Sequence, residues 1–387
     1  MPINSSSVDE PKPLRILVLS VRGFRFQAAN CCIYEFEDLL YTTESADLYV
    51  PSKEFNLANK VYRATKYLSR SDRLTNRLIP YPHQLTVNHE YDLLFAVLDN
   101  PWQMQLINSI DGWQDKFRHR ACYIAEMWEP DLHNWRLLQE PFGSFDHIFL
   151  GVTHCVAGLQ QKIKPPVTYI PPAVDTLRFS PYPNPPRRSI DVCYIGRRSP
   201  LIHESLLKST QEQDFLYYYD TVKKQKLEID NPQEHRRLLA SLFKRSRYNI
   251  TNYAKFNSQQ ETGGFQEIGY RFFEGAAAGT VMIGMPPTGE AFARYFDWEE
   301  PIVKVDFSGK DVVKAIAELD NQPERLENIR RRNVANSLLK HDWIYRWQDM
   351  LRALNLQPSP AVKQREQYLK QLAREILTES YSMMTDD

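Results

Sequence analysis

The chain has 387 residues, of which 42% are hydrophobic and 25% are charged, a composition typical of a globular protein with two or three domains. Its 48 Lys and Arg residues balance its 48 Asp and Glu residues. Because the net charge is zero, no long-range positive field attracts nucleic acid, and we expect no nucleic-acid partner.

The five cysteines show no spacing typical of a zinc site, and Cys31 and Cys32 are adjacent. We therefore expect free thiols in a reducing compartment and no bound metal. Residues 1–13 are polar and contain proline, without the apolar segment of a signal peptide. No run approaches the roughly 18 apolar residues of a membrane span. These features favour a disordered N-terminus on a cytoplasmic protein.

Short apolar segments in the first half of the chain alternate with helix-like ones. Strands are predicted at 14–21, 47–50, 92–98, 121–125 and 147–152, and helices at 29–40 and 102–110. Strands that alternate with helices indicate βαβ units and a parallel sheet. We therefore predict an N-terminal Rossmann-like domain over residues 14–170.

Prolines cluster between residues 165 and 186. Because proline favours extended backbone, this segment is interpreted as an interdomain connection. The alternation then resumes, with strands at 190–195, 215–219, 248–252, 281–283 and 302–305, and helices at 203–210, 234–245, 268–278, 309–320 and 323–340. These elements predict a second Rossmann-like domain over residues 171–340.

The remaining residues, 341–387, are predicted to form helices that return toward the N-terminal domain and end in a mobile tail. The predicted fold class is therefore α/β, with two Rossmann-like domains facing a cleft. In such sheets ligands bind beyond the carboxyl ends of the strands, so the cleft is the expected site.

The sequence lacks the signatures of several other enzyme classes. It has no GxxxxGK[ST] loop, no GxGxxG after a strand, no GxSxG, no HExxH and no Asp-x-Asp pair. If the chain binds phosphate groups without a metal, cationic side chains and helix N-termini must neutralise them.

The segment TGGFQEIGYRFFEGAAAGTVMIG (262–284) has the most informative pattern. A helix starting near Glu267 would place Glu267, Arg271 and Glu274 on one face. The Gly263-Gly264 turn would open this helix and present N–H groups to a diphosphate. Arg271 can form charge-assisted contacts with phosphate oxygens, and Glu274 can accept hydrogen bonds from ribose hydroxyls. A solvated row of ion pairs is the alternative interpretation.

This segment resembles the donor site of the group-1 glycosyltransferases with the GT-B fold. The likeness is to the branch with an Arg-x-Phe-Glu core, which includes the spore-maturation-type transferases; here the core reads Arg271-Phe272-Phe273-Glu274. Three further segments are similar to those of the family: PPAVDTLRFSP (171–181), IDVCYIGRR (190–198) and HDWIYRW (341–347). The resemblance covers about residues 165–350. It implies a hexosyltransferase-type enzyme that uses a nucleoside-diphosphate sugar as substrate, with no cofactor. It also implies that the N-terminal domain (14–170) holds the acceptor and that the second domain (171–340) binds the nucleotide-sugar donor.

The same resemblance implies that Glu274 binds the ribose and that Arg197, Arg198 and Arg271 lie near the diphosphate. The implied donor-binding set is Arg197, Arg198, Gly264, Phe265, Gln266, Glu267, Arg271 and Glu274. The first Glu of the family motif falls on Gln266, with Glu267 one position later. Either Gln266 replaces that Glu, or Glu267 is redirected toward the donor sugar.

Asp99 and Glu126 directly follow predicted strands of the N-terminal domain. Because such positions face the cleft, each is a candidate catalytic base for an inverting transfer, beside the catalytic candidates Arg271 and Glu274. A carboxylate ending a strand in solvent is the alternative for both. His133 and His154 are expected at the surface or in satisfied hydrogen bonds.

Residues 58–79 carry six basic residues among apolar ones at near-helical spacing. This pattern fits a solvated helix, a helix that contacts anionic lipid at a membrane surface, or a surface for an acceptor phosphate. The sequence does not identify the acceptor, which can be a sugar, a lipid or a protein. A non-catalytic GT-B-like binding or assembly protein is the main rival function, and a sugar-nucleotide epimerase on the same scaffold is a third.

Overall fold

A computed structural model describes residues 13–22, 27–52, 60–61, 64–70, 85–133, 139–221 and 229–378 of the chain. The predicted N-terminal segment 1–13 and the last part of the C-terminal tail lie almost wholly outside these ranges. Of the predicted basic segment 58–79, residues 60–61 and 64–69 are helical. Apart from Arg70, the rest of that segment lies outside the described residues.

The first half of the chain builds a parallel sheet. Its strands are β1 (Ile16–Leu19), β2 (Asp47–Tyr49), β4 (Tyr91–Leu98), β6 (Phe117–Ile124), β7 (His147–Leu150) and β8 (Val167–Tyr169), in the spatial order β2-β1-β4-β6-β7-β8. All four residues of β1 are buried, as expected for a strand covered on both faces by helices. Two short strands, β3 (Leu85–Thr86) and β5 (Ile110–Asp111), pair separately.

The helices of this half cover the sheet. Besides the helical residues 60–61 and 64–69, the α-helices in the described parts of this half are α1 (Cys31–Glu44), α2 (Glu129–His133), α3 (Gln139–Phe142) and α4 (Cys155–Gln160). The helix predicted at 102–110 is a 3-10 helix, Pro101–Ser109. It begins at Asn100, whose side chain accepts a hydrogen bond from the Trp102 N–H while Gln103 bonds back to the Asn100 backbone, a capping box that fixes the helix start.

The second half builds a five-stranded parallel sheet. Its strands are β9 (Ile190–Tyr194), β10 (Tyr217–Tyr219), β11 (Ser246–Ile250), β12 (Val281–Gly284) and β13 (Val303–Lys304), in the order β10-β9-β11-β12-β13. The helices that follow α4 in chain order are α5 (Thr176–Phe179), α6 (Pro200–Glu212), α7 (Pro232–Lys244), α8 (Gln259–Thr262), α9 (Tyr270–Ala277), α10 (Glu290–Tyr295), α11 (Gly309–Asp320), α12 (Pro323–Lys340), α13 (Trp343–Ala353) and α14 (Pro360–Thr378). The predicted α/β class with two Rossmann-like sheets is confirmed.

Strand β8 was not predicted, because its segment was interpreted as part of the proline-rich connection. Pro165 and Pro166 immediately precede it. Since β8 lies at the edge of its sheet and pairs with β7, the nearby prolines remove no hydrogen bond from the sheet interior. The proline-rich segment therefore first supplies the edge strand of the N-terminal sheet and then crosses to the second domain.

The C-terminal helices α13 and α14 return to the N-terminal sheet, as predicted. Trp343, Trp347 and Leu369 belong to the same buried cluster as the strands of that sheet. The Trp343 ring stacks on Phe36 of α1 with a centroid distance of 4.7 Å. The core of the N-terminal half is thus completed by residues from the far end of the chain.

The interdomain connection and the returning helices are bonded to each other. Val174 and Asp342 form a parallel bridge, and the Asp342 carboxylate accepts hydrogen bonds from the backbone N–H and the hydroxyl of Thr176 at 3.1 and 2.7 Å. The buried Arg346 donates to the carbonyls of Pro171 and Pro172. These contacts therefore hold side by side the two chain segments that cross between the domains, namely the interdomain connection and residues 341–347.

Replacement of Trp347 tests whether the returning helices are integral to this core. Trp347 is fully buried, and its indole N–H donates to Glu44 at 2.7 Å. We expect Trp347→Ala to destabilise the protein by about 3–5 kcal/mol, because it leaves a cavity and removes one hydrogen bond from the buried Glu44 carboxylate. Thermal unfolding measures the change, with Tyr41→Ala as the control at a side chain that is 63% exposed. Equal melting temperatures for the two variants would contradict the packing described.

Candidate active site

The carboxyl ends of the strands in both sheets face each other across the domain interface. Glu126 follows β6 and Lys255 follows β11, and the Lys255 Nζ atom lies 2.8 Å from the Glu126 carboxylate. Polar side chains of the two domains therefore meet where the sequence predicts a ligand-binding cleft.

Helix α9 begins at Tyr270 with Gly269 as its N-cap residue, two to three residues later than the predicted start at 267–268. Arg271 and Glu274 lie one turn apart on it and form an ion pair. The Arg271 Nε atom also lies 3.5 Å from the carbonyl oxygen of Ile195, just after β9. Arg271 is therefore held next to the turn that carries Arg197 and Arg198.

Glu274 is fully buried, and both of its carboxylate oxygens are engaged. One oxygen accepts from Arg236 and, at 3.5 Å, from the Cys32 thiol, and the other accepts from Arg271. Burial opposes ionisation of Glu274, but the charges of Arg271 and Arg236 outweigh it and lower its pKa to about 2. Glu274 is therefore a buried carboxylate anion held between two guanidinium groups.

Arg236, which the sequence did not single out, links the two domains. It lies on α7, is 1% exposed, and donates both to Glu274 and to Glu35 of α1. The other oxygen of Glu35 accepts from the backbone N–H of Asp175, in the interdomain connection. We call Glu35, Arg236, Glu274 and Arg271 the buried ion network. It joins the N-terminal domain, the connection and the second domain.

Glu267 is not on α9, contrary to the prediction that it shares a helix face with Arg271 and Glu274. It precedes the helix, and its carbonyl oxygen accepts a hydrogen bond from the Ala254 N–H at 2.9 Å. Its carboxylate crosses to the N-terminal domain, where one oxygen accepts from the Thr153 N–H and hydroxyl, both at 2.7 Å, and from the His154 ring at 2.7 Å. Gly269 caps α9 between Glu267 and the helix, so the two carboxylates point to different partners.

His154 is therefore not a surface residue, because its side chain is 4% exposed. Its ring Nδ1 atom is bonded to Glu267, and it stacks on the ring of Phe265 with a centroid distance of 4.5 Å. The Nε2 atom has no hydrogen-bond partner among the residues described. The side chain of His133, the other histidine considered from the sequence, lies outside the described residues.

The Gly263-Gly264 turn ends the short helix α8 instead of opening α9. Gly263 is the C-cap residue, and both glycines have positive φ values, 65° and 84°, which glycine adopts without strain. The Gly264 and Phe265 N–H groups donate to Thr262, so they are used within the turn. Gln266 accepts from the Thr288 N–H at 3.1 Å and stays with the second domain.

The two arginines after β9 point in different directions. Arg197 donates to Asn257 at 3.1 Å and to Ser258 at 2.6 Å, toward the loop after β11. Arg198 donates to Asp220 after β10 and lies 5.5 Å from the Tyr219 ring centroid. Among this pair, Arg197 is the one that reaches the loop facing the N-terminal domain.

The two candidate bases lie at the carboxyl ends of β4 and β6. Asp99 accepts from the Asn100 side chain at 3.0 Å. Glu126 pairs with Lys255 and accepts from the Trp128 indole N–H at 3.1 Å. Glu126 is thus already bound to a cation from the other domain.

Arg236 and Lys255 are the main site residues that sequence reasoning missed. Arg236 belongs to an ordinary amphipathic pattern, QEHRRLLASLF, in which nothing distinguishes it from Arg237. Its partner Glu35 does carry a signal, because it stands inside the apolar run CCIYEF of a helix predicted to pack on the sheet. A carboxylate in a buried helix needs a cationic partner.

Comparison with known proteins agrees with this architecture. Residues 217–352 match the family model described as glycosyl transferase-like. A comparison with curated proteins finds no match. The chain is similar to the structure of an alpha-glucosyltransferase in complex with UDP and a 13-mer DNA containing a HMU base, with 12% identity, a TM-score of 0.53, and 89% of this chain and 100% of that chain covered.

Two further solved structures are similar. Anabaena Alr3699/HepE in complex with UDP-glucose shares 12% identity and a TM-score of 0.50, over 88% of this chain and 99% of that one. The N-terminal domain of Candida albicans trehalose-6-phosphate phosphatase shares 7% identity and a TM-score of 0.53, over 89% and 97%. At these identities the likeness concerns the fold. The chain thus has a GT-B fold, and residues 217–352 within its second half are similar to the glycosyl transferase-like family model.

The described residues provide neither a cluster of metal-ligating side chains nor a helix that could span a membrane. No group of three or more His, Cys, Asp or Glu side chains is placed to hold a metal ion. Among the helices described, none has the length and apolar character needed to cross a membrane. All five cysteines lie in described segments and are buried free thiols, as predicted.

The buried ion network predicts a large effect for loss of its central cation. Arg236→Met leaves Glu35 and Glu274 buried without that guanidinium, and we expect destabilisation of about 3–5 kcal/mol. Arg352→Met is the control, because Arg352 is 76% exposed and pairs with Asp349 at the surface, where such pairs contribute about 0–1 kcal/mol. A melting temperature of Arg236→Met close to that of the control would contradict the network.

The lowered pKa of Glu274 predicts a pH dependence of stability. Between its ordinary pKa of 4.5 and about 2, the unfolded chain binds a proton at this residue that the folded protein does not. Its contribution to stability is therefore complete above pH 4.5 and is lost as the pH falls toward 2. Melting temperatures across this range should fall more steeply for the wild type than for Glu274→Gln. Glu318→Gln, at an exposed residue, should keep the wild-type slope.

Proposed function

We propose that the protein is a glycosyltransferase that moves a sugar from a nucleoside-diphosphate sugar to an acceptor held by the N-terminal domain, without a bound metal. One observation carries this proposal. Arg271, inside the glycosyltransferase-like domain, lies against the carboxyl end of β9, where Arg197 and Arg198 follow. Cations gathered at a parallel strand end suit a diphosphate leaving group.

In this proposal Arg197 and Arg271 stabilise the negative charge that develops on the diphosphate. Arg198 contributes from the other side of the β9 end. Gln266 replaces the first Glu of the family motif, because Glu267 is bonded to Thr153 and His154 instead. Two of the similar structures hold UDP or UDP-glucose. This supports a uridine nucleotide as the first donor to test. We also propose the Arg-x-Phe-Glu branch and a hexose as the transferred sugar.

A role for Glu274 at the ribose requires a rearrangement. Its carboxylate is buried against Cys32 of the N-terminal domain and is fully occupied. A ribose hydroxyl can reach it when α1 moves away. We therefore propose that donor binding is accompanied by separation of α1 from α9.

The test of this function is thermal unfolding of the protein with a panel of nucleotides and nucleotide sugars, in the presence of EDTA. A ligand at 100 times its Kd stabilises the folded state by about 2.7 kcal/mol. Selective stabilisation by one nucleoside diphosphate and its sugar supports the proposal and identifies the donor. A flat response across the panel would overturn it.

Arg271→Met is expected to lower kcat by about 10²–10³-fold, because a preorganised donor to the leaving group is lost. Donor hydrolysis, or transfer once an acceptor is known, measures the effect. Arg294→Met serves as the control, since Arg294 is an exposed arginine of the same domain that lies over the Tyr295 ring. Activity equal to that of the control would remove Arg271 from the catalytic residues.

A non-catalytic binding or assembly protein is the second candidate. Two contacts favour it. Glu267 already accepts hydrogen bonds from Thr153 of the N-terminal domain, and Glu274 already accepts one from the buried Arg236. Nucleotide binding without hydrolysis or transfer over long incubation would support this candidate. Release of free sugar from the donor would rule it out.

A further inference from the structure

Lys255 and Arg197 approach the same carboxylate oxygen. The Lys255 Nζ atom lies 3.4 Å from Glu261 Oε2, and the Arg197 Nη2 atom lies 3.5 Å from that same oxygen. Lys255 comes from the loop after β11 and Arg197 from the turn after β9, two strands that are neighbours in the sheet. Two cations from adjacent strand ends therefore converge on one anionic oxygen.

Lys255 has a backbone φ of 51°, in the left-handed region that glycine and asparagine adopt more readily than lysine. Strained residues of this kind cluster at functional sites, where the surrounding structure maintains them. The strained backbone directs the ammonium group to the domain interface, 5.0 Å from the Trp128 ring centroid and beside Glu126. The structure thus positions this ammonium group at an energetic cost.

We propose that Arg197 and Lys255 form a cation pair that binds the diphosphate of the donor, and that Glu261 occupies the position that a phosphate of the donor takes when it binds. This inference rests on the proposed function and adds Lys255 to it. A diphosphate offers several anionic oxygens that accept hydrogen bonds from both cations at once. Because the Glu261 side chain is 49% exposed, its ion pairs are weak and easily exchanged.

Arg197 and Lys255 each have further partners that do not depend on Glu261. Arg197 keeps its hydrogen bonds to Asn257 and Ser258 through Nη1, while Nη2 makes the contact with Glu261. Lys255 also keeps a carboxylate partner from the N-terminal domain, Glu126. When phosphate oxygens replace Glu261, Arg197 therefore keeps its hydrogen bonds to Asn257 and Ser258, and Lys255 keeps its ion pair with Glu126.

The experiment measures Kd by titration calorimetry for UDP, GDP and ADP with the full-length protein. For the nucleotide that binds the wild type best, Lys255→Met should weaken binding by about 10- to 100-fold, the loss expected for one charge-assisted hydrogen bond. Glu261→Gln should strengthen binding about 2- to 5-fold, because the competing anion is removed. If the ion pair between Lys255 and Glu261 were purely structural, the two substitutions would not change Kd in opposite directions.

Matched controls come from the exposed pair Lys208 and Glu212 on α6, 3.5 Å apart. Lys208→Met and Glu212→Gln should leave Kd unchanged, and circular dichroism confirms that every variant is folded. An unchanged Kd in either Lys255→Met or Glu261→Gln overturns the inference while the proposed function stands. Failure of the wild type to bind any of the three nucleotides overturns the proposed function itself, and the inference with it.

Discussion

The arrangement of the two domains depends on a guanidinium group shared between carboxylates of different domains. Arg236 is buried and donates to Glu35 of the N-terminal domain and to Glu274 of its own domain. A buried ion costs several kcal/mol of desolvation, which an accurately placed partner of opposite charge must offset. The position of α1 against α7 and α9 is therefore restricted to one in which both carboxylates reach Arg236.

Segment 262–284 contributes two of its acidic residues to this interface. Glu274 belongs to the buried ion network, and Glu267 bonds to Thr153 and His154 across the interface. The two acidic residues that the sequence pattern predicts to bind a ligand thus make contacts that hold the domains together. A nucleotide that uses either residue must compete with contacts between domains, so ligand binding and domain arrangement are coupled in this fold.

The fold was largely predictable because its strands are short apolar runs buried on both faces, which local pattern identifies well. The five strands of the second sheet and helices α11 and α12 appear close to their predicted residues. The short strands β3 and β5 are not predicted, and neither is β8, which lies among prolines, where local preference suggests an extended connection. Its strand character comes from pairing with β7, a contact that no local pattern contains.

The site was less predictable, because its geometry depends on contacts distant in sequence. Gly269 delays the start of α9, so the predicted common face of Glu267 and Glu274 does not exist. Arg236 meets Glu35 across 201 residues and Glu274 across 38 residues. Spacing along a helix can place Arg271 beside Glu274, but it cannot indicate which of many arginines a folded chain buries next to a distant carboxylate.

The return of α13 and α14 to the first sheet has a consequence for synthesis of the chain on the ribosome. The N-terminal sheet emerges first, yet its buried cluster includes residues between Val334 and Ile376. Until those residues leave the exit tunnel, part of the apolar surface around Phe36 and Phe95 has no covering, while the second sheet already has its own core. The half of the protein that is made first is thus the last to mature, and chaperones have their longest opportunity to bind there.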